Sequence, residues 1–175
     1  MAKRVAVLAV NPVNGMGLFQ YLEAFYEHKV AYRLYAVSDT ADIRTNSGVA
    51  LQADDVIANL KGHSDEFDAL VFACGDAVPV FREHASCSYN VDLFEVFREF
   101  EGKGKIMAGH CAAALLYEFA GVGAGRKLAV HPLAKPAVRN GIATDAEYEV
   151  DGNFYTAQCE HTLLSLIPYL LKALE

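Results

Sequence analysis

Strand-like and helix-like segments alternate along the whole chain, and this alternation constrains its fold more than any other feature. Arg4–Val10 is a continuous apolar run of the kind that lies buried on both faces of a parallel sheet. The spacing of a single helix face then appears at Leu18, Tyr21, Leu22 and Phe25. Because strand and helix patterns keep alternating, we predict an α/β protein of the flavodoxin-like, doubly wound class, with a mostly parallel sheet and helices on both faces.

The remaining segments are predicted in the same way. Further strands are expected at residues 30–37, 49–52, 68–73, 105–108, 127–130 and 154–157, and further helices at residues 56–60, 91–100, 112–119 and 163–174. The last helix is amphipathic, with Leu164 predicted on its buried face. The chain has no linker, repeat or low-complexity segment, and 53% of its 175 residues are hydrophobic. We therefore expect one domain over residues 1–175.

The charge balance argues against several classes of partner. The chain has 22 Asp and Glu residues against 15 Lys and Arg residues, which gives a net charge of −7, and it has no basic cluster. This argues against DNA, RNA or an anionic membrane as the main partner. No secretory signal is recognised and no apolar run is long enough to span a bilayer, so we expect a cytoplasmic protein.

The four cysteines are widely spaced, at positions 74, 87, 111 and 159, and we expect free thiols. There is no C-x-x-C pair and no histidine spacing of the zinc type. Cys111 with His110 and His131 is the one conceivable metal-binding group. Because two adjacent residues of a turn point in different directions, we expect no metal site there.

Cys111 has the sequence context of a nucleophile elbow. The segment Gly109-His110-Cys111-Ala112-Ala113 joins an apolar strand to an apolar helix. A tight strand-to-helix turn directs its side chain out of the carboxyl edge of the sheet, and the adjacent helix N-terminus favours a thiolate. The alternative is a buried core cysteine at a strand end, because free cysteines are among the most buried residues.

Several motifs occur in a characteristic order: Ala108-Gly-His-Cys-Ala-Ala-Ala-Leu-Leu115, Ala120-Gly121, Lys127, His131-Pro-Leu-Ala-Lys135 and Asp151-Gly-Asn-Phe-Tyr-Thr156. In these motifs the chain resembles the ThiJ/PfpI superfamily, including its Parkinson-associated deglycase-like branch, which has the class I glutamine amidotransferase-like fold. The resemblance covers essentially the whole chain. It implies a cytosolic homodimer or larger homo-oligomer without a cofactor. It also implies one of the family's activities, which include glyoxal hydration, deglycation, isocyanide hydration, peptidase or amidase action, and redox-linked chaperoning.

The resemblance also implies roles for particular residues. Cys111 would be the nucleophile, and His131 would be the histidine that lies near it. Gly75 and Ala112 would supply backbone N–H groups to an oxyanion. Asn14 and Gly17, in the loop after the first strand, are candidate amide donors to a substrate carbonyl, although both are also ordinary turn residues.

The chain departs from the family pattern at three positions. Gly17 stands where the family has an acidic residue that contacts the cysteine and tunes its pKa. Asp76 replaces the second of two glycines that commonly follow the 69–73 strand, so its carboxylate either approaches Cys111 or faces water and caps the loop. In the peptidase-like branch a histidine follows the cysteine directly, whereas here His110 precedes it, which weakens a protease assignment.

Without the family's acid, another group is expected to tune the sulfur. We predict that Asp76, His110 or His131 lies within hydrogen-bond reach of Cys111 and transfers protons. The alternatives are that His110 turns into the core and that His131 only braces its turn. Cys74 is near enough to be a second thiol, but a packed small side chain is the favoured reading, and Glu160 is expected to cap the last helix.

These observations favour an enzyme in which the Cys111 thiolate attacks an electrophilic carbon of a small molecule. Its class would be a hydrolase or lyase, of the protease or amidase, glyoxalase or deglycase type. The alternative is a non-enzymatic redox sensor or chaperone in which Cys111 is oxidised to a sulfinate.

Overall fold

Eleven strands and four α-helices make up the regular structure in a computed structural model that describes residues 1–175. The strands are β1 Arg4–Val10, β2 Ala31–Val37, β3 Asp42–Arg44, β4 Ala50–Gln52, β5 Asp55–Val56, β6 Ala69–Ala73, β7 Ile106–His110, β8 Lys127–Ala129, β9 Ile142–Thr144, β10 Tyr148–Asp151 and β11 Phe154–Ala157. The helices are α1 Gly15–Glu27, α2 Ser88–Gly102, α3 Ala113–Ala120 and α4 Leu163–Ala173.

One seven-stranded sheet runs through the centre of the molecule in the order β10-β11-β7-β6-β1-β2-β5. All neighbouring strands in it are parallel except the edge pair of β10 and β11. The central strands β1 and β6 are buried along almost their whole length, which explains their uninterrupted apolar sequences. The predicted fold class, an α/β protein with a mostly parallel sheet, is confirmed.

The helices cover the two faces of this sheet in pairs. Helix α1 contacts α4, and α2 contacts α3. The chain moves from β1 to β2 in one direction along the sheet and from β6 to β7 in the other. Because crossover connections between parallel strands are right-handed, these opposite directions place α1 and α2 on opposite faces. No helix is long and apolar enough to cross a membrane.

The reversal in strand order lies between β1 and β6, and it locates the candidate site. The loops that leave the carboxyl ends of these two strands diverge, which is where open α/β sheets leave a crevice for ligands. Asn14 lies in the loop after β1, Gly75 follows β6, and Cys111 follows the next strand, β7. The topology therefore brings these three predicted residues to one edge of the sheet.

The structure differs from the predicted elements in several places. The strand predicted at 127–130 is β8, which pairs with β9 in a small separate sheet and not with the central one. Strand β10 was not predicted, because a half-exposed edge strand lacks a continuous apolar run. Helix α2 is longer at both ends than the predicted 91–100 segment. Leu164 is exposed, and Leu166 takes its place on the buried face of α4.

Gly75 sits where the loop after β1 passes directly over the end of β6. A Cβ atom at Gly75 would lie 2.6 Å from the Val13 Cα and 2.8 Å from the Asn14 nitrogen. Backbone atoms cannot turn aside as the end of a side chain can. We therefore expect Gly75→Ala to lower the free energy of unfolding by about 1–3 kcal/mol, the usual cost of overpacking, as measured by urea denaturation.

Gly102, the last residue of α2, is the matched control for this substitution. A Cβ atom there would meet nothing within 4 Å. Gly102→Ala should leave the free energy of unfolding unchanged or slightly higher, because alanine is the better helix former. Equal losses in the two variants would contradict the close-approach account.

Candidate active site

Cys111 has the strained backbone that an elbow requires. Its φ angle is 59°, in the left-handed region that residues with a Cβ atom rarely occupy. The Cys111 N–H donates to the Ala157 carbonyl at 3.1 Å, and the Cys111 carbonyl accepts from the His131 N–H at 2.8 Å. Strand β11 and the His131 loop thus hold the turn from both sides. The predicted elbow geometry is present.

A cavity of about 580 Å³ opens at the elbow, and half-buried Cys111 lines it. The apolar side chains around it include Val78, Phe81, Leu115, Phe119 and Leu133. Gly75, Ala112 and Asn14 also line it, so the loops predicted to converge do converge. A mostly apolar cavity with a few convergent polar groups is the usual form of a small-molecule site.

The polar groups of the cavity are few and of mixed charge. Besides Cys111 they include Asp76, Arg82, His131 and Glu160. The Arg82 guanidinium lies 5.7 Å from the centre of the Phe119 ring. It therefore stands over the aromatic wall and presents a positive charge at the cavity.

Cys74 is the side chain with the largest influence on the pKa of Cys111. Strands β6 and β7 are parallel, and their register pairs Phe72 with Gly109. Cys74 lies two residues after Phe72, and Cys111 lies two residues after Gly109. Cys74 is 2% exposed and also lines the cavity. The sequence pointed to Asp76, His110 or His131 as the hydrogen-bond partner of the sulfur; the structure places Cys74 there instead.

The contact between Cys74 and Cys111 shifts the pKa values of the two thiols in opposite directions. The Cys74 thiol donates a hydrogen bond to Cys111, and this bond is the largest cause of a lowered Cys111 pKa. The Ala112 N–H acts in the same direction, while partial burial and the carboxylates of Glu160 and Asp76 act against it. The same hydrogen bond, together with burial, raises the pKa of Cys74 well above its ordinary value. Cys111 is therefore the more acidic thiol of the pair.

His110 fills the space that a side chain at Gly17 would need. Its ring is buried beneath the elbow, with Nδ1 3.3 Å from the Tyr21 hydroxyl. A Cβ atom on Gly17 would lie 2.6 Å from the His110 Cε1 and would also meet Nε2. The His110 ring therefore leaves no room for a larger side chain at position 17. Burial lowers the pKa of His110 to about 4, so the ring is neutral at pH 7.

Asn14 and Gly17 are used by the fold; the Gly17 N–H is not available to a substrate, whereas a substrate contact of the Asn14 side-chain NH2 stays a prediction. The Gly17 N–H donates to the Asn14 side-chain oxygen at 2.6 Å, which caps the N-terminus of α1. The Asn14 N–H donates to the Cys74 carbonyl at 2.9 Å. Gly17 is not among the residues lining the cavity. The N–H groups of Gly75 and Ala112 lower the pKa of the Cys74 thiol, and the Ala112 N–H also lowers that of Cys111; their role at an oxyanion stays a prediction.

His131 and Glu160 complete the cavity. The His131 Nδ1 accepts from the Leu133 N–H at 3.2 Å, which leaves the proton of the neutral ring on Nε2. The backbone and Nδ1 of His131 therefore hold the turn, and the N–H at Nε2 is left to donate a hydrogen bond. Sequence reasoning gave Glu160 only a capping role. Glu160 follows β11 at the carboxyl edge, and the same edge argument that locates Cys111 identifies it as a cavity residue.

Known proteins resemble this chain over its whole length. A family model described as the DJ-1/PfpI family matches residues 3–173. The Bacteroides thetaiotaomicron protein named ppBat is 64% identical over 175 residues and covers 100% of both chains. A crystal structure from the same organism, of a protein provisionally named protease I, is 64% identical with a TM-score of 0.98, covering 99% of this chain and 100% of that one. Drosophila melanogaster DJ-1beta is 22% identical and shares the fold, with a TM-score of 0.85 over 99% of this chain and 91% of that one.

Cys74 and Glu160 change the pKa of Cys111 in opposite directions, so removing each should shift that pKa in opposite directions. Removing the donor with Cys74→Ala should raise the pKa of Cys111, and removing the negative charge with Glu160→Gln should lower it. The pH dependence of iodoacetamide alkylation at Cys111, followed by mass spectrometry, measures both shifts. Cys159→Ser, outside the cavity, serves as the control and should leave the profile unchanged. Shifts of the same sign in the two variants would contradict this assignment.

Neutral, buried His110 predicts a pH-dependent stability. Its pKa is about 4 in the folded chain and 6.5 ordinarily, so between these values only the unfolded chain binds the proton. The contribution is complete above pH 6.5 and is lost as the pH falls toward 4. Replacing the ring with an amide in His110→Gln should reduce the loss of unfolding free energy over this range by about 3 kcal/mol.

Urea denaturation at several pH values between neutral and acidic measures this difference. The exposed His28 provides the control, and His28→Gln should keep the wild-type pH dependence. A His110→Gln protein with the wild-type slope would show that the imidazole is protonated in the folded state.

Proposed function

The chain belongs to the DJ-1/PfpI family, and we propose that it is an enzyme whose Cys111 thiolate attacks the electrophilic carbon of a small, largely apolar substrate. One observation carries the proposal: a cysteine with a lowered pKa sits on a strained elbow at the wall of an apolar cavity. Backbone strain, an acidic thiol and a concave apolar surface occur together at functional sites. A cysteine that only packs in the core requires none of these features.

The proposed reaction begins with attack of the Cys111 sulfur on a carbonyl or nitrile carbon. A carbon–sulfur bond forms, and the electron pair of the multiple bond moves to the oxygen or nitrogen. The Ala112 N–H lies at the start of α3 beside the sulfur and is the backbone donor placed to stabilise that charge. One such donor contributes about 3–4 kcal/mol in enzymes where it has been removed.

Proton transfer in this scheme falls to His131. It lines the cavity, and its Nδ1 is occupied by the Leu133 N–H, so Nε2 carries the mobile proton. His110 is less suited to this role, because burial lowers its pKa to about 4 and keeps it neutral and away from solvent. Asp76 is exposed at the cavity rim and can exchange protons with water.

The walls of the cavity favour a particular class of substrate. Phe81, Leu115 and Phe119 offer apolar contacts, and Arg82 adds one positive charge over the Phe119 ring. A small aldehyde, amide or nitrile with an apolar body fits this arrangement. Peptide bonds belong in the test as well, because a relative that is 64% identical carries the provisional name protease I.

The competing function is a non-enzymatic redox sensor, which would use the same acidic thiol for oxidation and not for turnover. The buried second thiol, Cys74, is the observation that favours it. A sensor has no turnover to lose, so kinetics separate the two functions. Assembly into a homodimer remains a prediction from sequence.

The decisive comparison is turnover by the wild type and by Cys111→Ser. A panel of aldehydes, amides, nitriles and peptides is assayed with both proteins. Because a serine hydroxyl is not deprotonated near neutral pH, we expect kcat/KM for any accepted substrate to fall about 10³-fold or more. Circular dichroism verifies that the variant is folded.

Cys159→Ser is the matched control, because Cys159 does not line the cavity, and it should retain wild-type kinetics. Turnover that survives in Cys111→Ser would exclude Cys111 as the nucleophile. Selective oxidation of Cys111 by peroxide, with no substrate turned over, would support the sensor.

A further inference from the structure

Strands β6 and β7 bring two thiols together at one edge of the sheet. Phe72 pairs with Gly109, and two residues further on each chain lie Cys74 and Cys111. Adjacent strands are about 4.8 Å apart, and a disulfide needs Cα atoms about 4.4–6.8 Å apart. Cys74 and Cys111 each directly follow the end of one of these neighbouring strands, and each thiol shifts the pKa of the other. The two thiols therefore lie close together at the carboxyl edge of the sheet.

The two thiols differ in access and have different roles in an oxidation. Both thiols line the cavity, but Cys74 is only 2% exposed whereas Cys111 is half-buried. An oxidant arriving from solvent meets Cys111 first. The other free cysteines are elsewhere: Cys87 precedes α2 and Cys159 precedes α4, and neither lines the cavity. Cys74 is therefore the one thiol placed to react next.

We propose that Cys74 and Cys111 form a redox-active dithiol that a hydroperoxide closes to a reversible disulfide, with Cys74 as the resolving thiol. In the first step the Cys111 thiolate attacks a peroxide oxygen; a sulfur–oxygen bond forms, the oxygen–oxygen bond breaks, and the released oxygen takes a proton. In the second step Cys74 attacks the Cys111 sulfur. The sulfur–sulfur bond forms, and the hydroxyl leaves as water with the proton that Cys74 gives up. With hydrogen peroxide, two thiols yield one disulfide and two waters.

The surroundings of Cys74 suit it to act second. While Cys111 is a thiolate, its negative charge and its hydrogen bond raise the pKa of Cys74. Oxidation of Cys111 removes that charge. The N–H groups of Gly75 and Ala112, which lower the pKa of Cys74, then remain. Cys74 becomes a better nucleophile only after Cys111 has been oxidised.

This dithiol regulates the proposed active site. The disulfide removes the nucleophile, and a reducing thiol restores it, so peroxide switches the site off without destroying it. Without Cys74, oxidation continues to the sulfinic acid, which ordinary thiols do not reverse. The inference rests on the proposed reactivity of the Cys111 thiolate, and it needs no particular substrate.

Intact-mass spectrometry after treatment with hydrogen peroxide tests the proposal on the full chain. We expect the wild type to lose two hydrogen atoms and to give a proteolytic fragment that joins Cys74 to Cys111. Dithiothreitol should restore both the mass and the alkylation of Cys111. Cys74→Ala should instead gain two oxygen atoms at Cys111, irreversibly. The two proteins are compared by their final oxidation product and not by the rate of oxidation, because Cys74→Ala also changes the pKa of Cys111.

Cys74→Ser, which keeps the size of the side chain, repeats the test if the alanine variant folds poorly, and Cys87→Ser should behave as the wild type. Accumulation of the sulfinic acid in the wild type as readily as in Cys74→Ala would overturn the proposal, as would a fragment joined through Cys87 or Cys159. A disulfide that forms in a protein without turnover would uphold this inference while the proposed enzymatic function fails. Turnover without a disulfide would do the reverse.

Discussion

The hydrogen bond from Cys74 to Cys111 is the interaction on which the chemistry of this protein depends. It exists because β6 and β7 are neighbouring parallel strands and the two cysteines directly follow their ends. The bond makes Cys111 the more acidic thiol and Cys74 the less acidic one. The strained turn at Cys111, held by Ala157 and His131, then presents the acidic sulfur to the cavity.

The space beside Gly17, where the resemblance to the family led us to expect an acid, holds no carboxylate. His110 occupies the volume next to Gly17, and burial keeps its imidazole neutral, so it cannot replace the charge of a carboxylate. The Cys74 thiol, at the end of the neighbouring strand, lowers the pKa of Cys111 instead. A thiol donor can itself be oxidised, whereas a carboxyl group cannot. The proposed dithiol would therefore join nucleophile activation and redox control in one contact.

The alternation of apolar strands and amphipathic helices was sufficient to predict the parallel sheet, and small residues around Cys111 were sufficient to predict the elbow. The partner of Cys111 could not be predicted, because it depends on the register of two strands that the sequence alone does not specify. Cavity residue Glu160 was missed although it follows β11 at the predicted edge. The contact of the Asn14 side-chain oxygen with the Gly17 N–H could not be predicted, because it is visible only once the start of α1 is known.

A neutron diffraction structure locates the proton of this pair directly. The crystals are kept at pH 9.0, the ordinary pKa of a thiol. If the pKa of Cys111 lies below this value and that of Cys74 above it, the two sulfurs differ in protonation at this pH. The account predicts a deuteron on the Cys74 sulfur, directed at a Cys111 sulfur that carries none. A deuteron on Cys111, or two sulfurs too far apart to share a hydrogen bond, would contradict it.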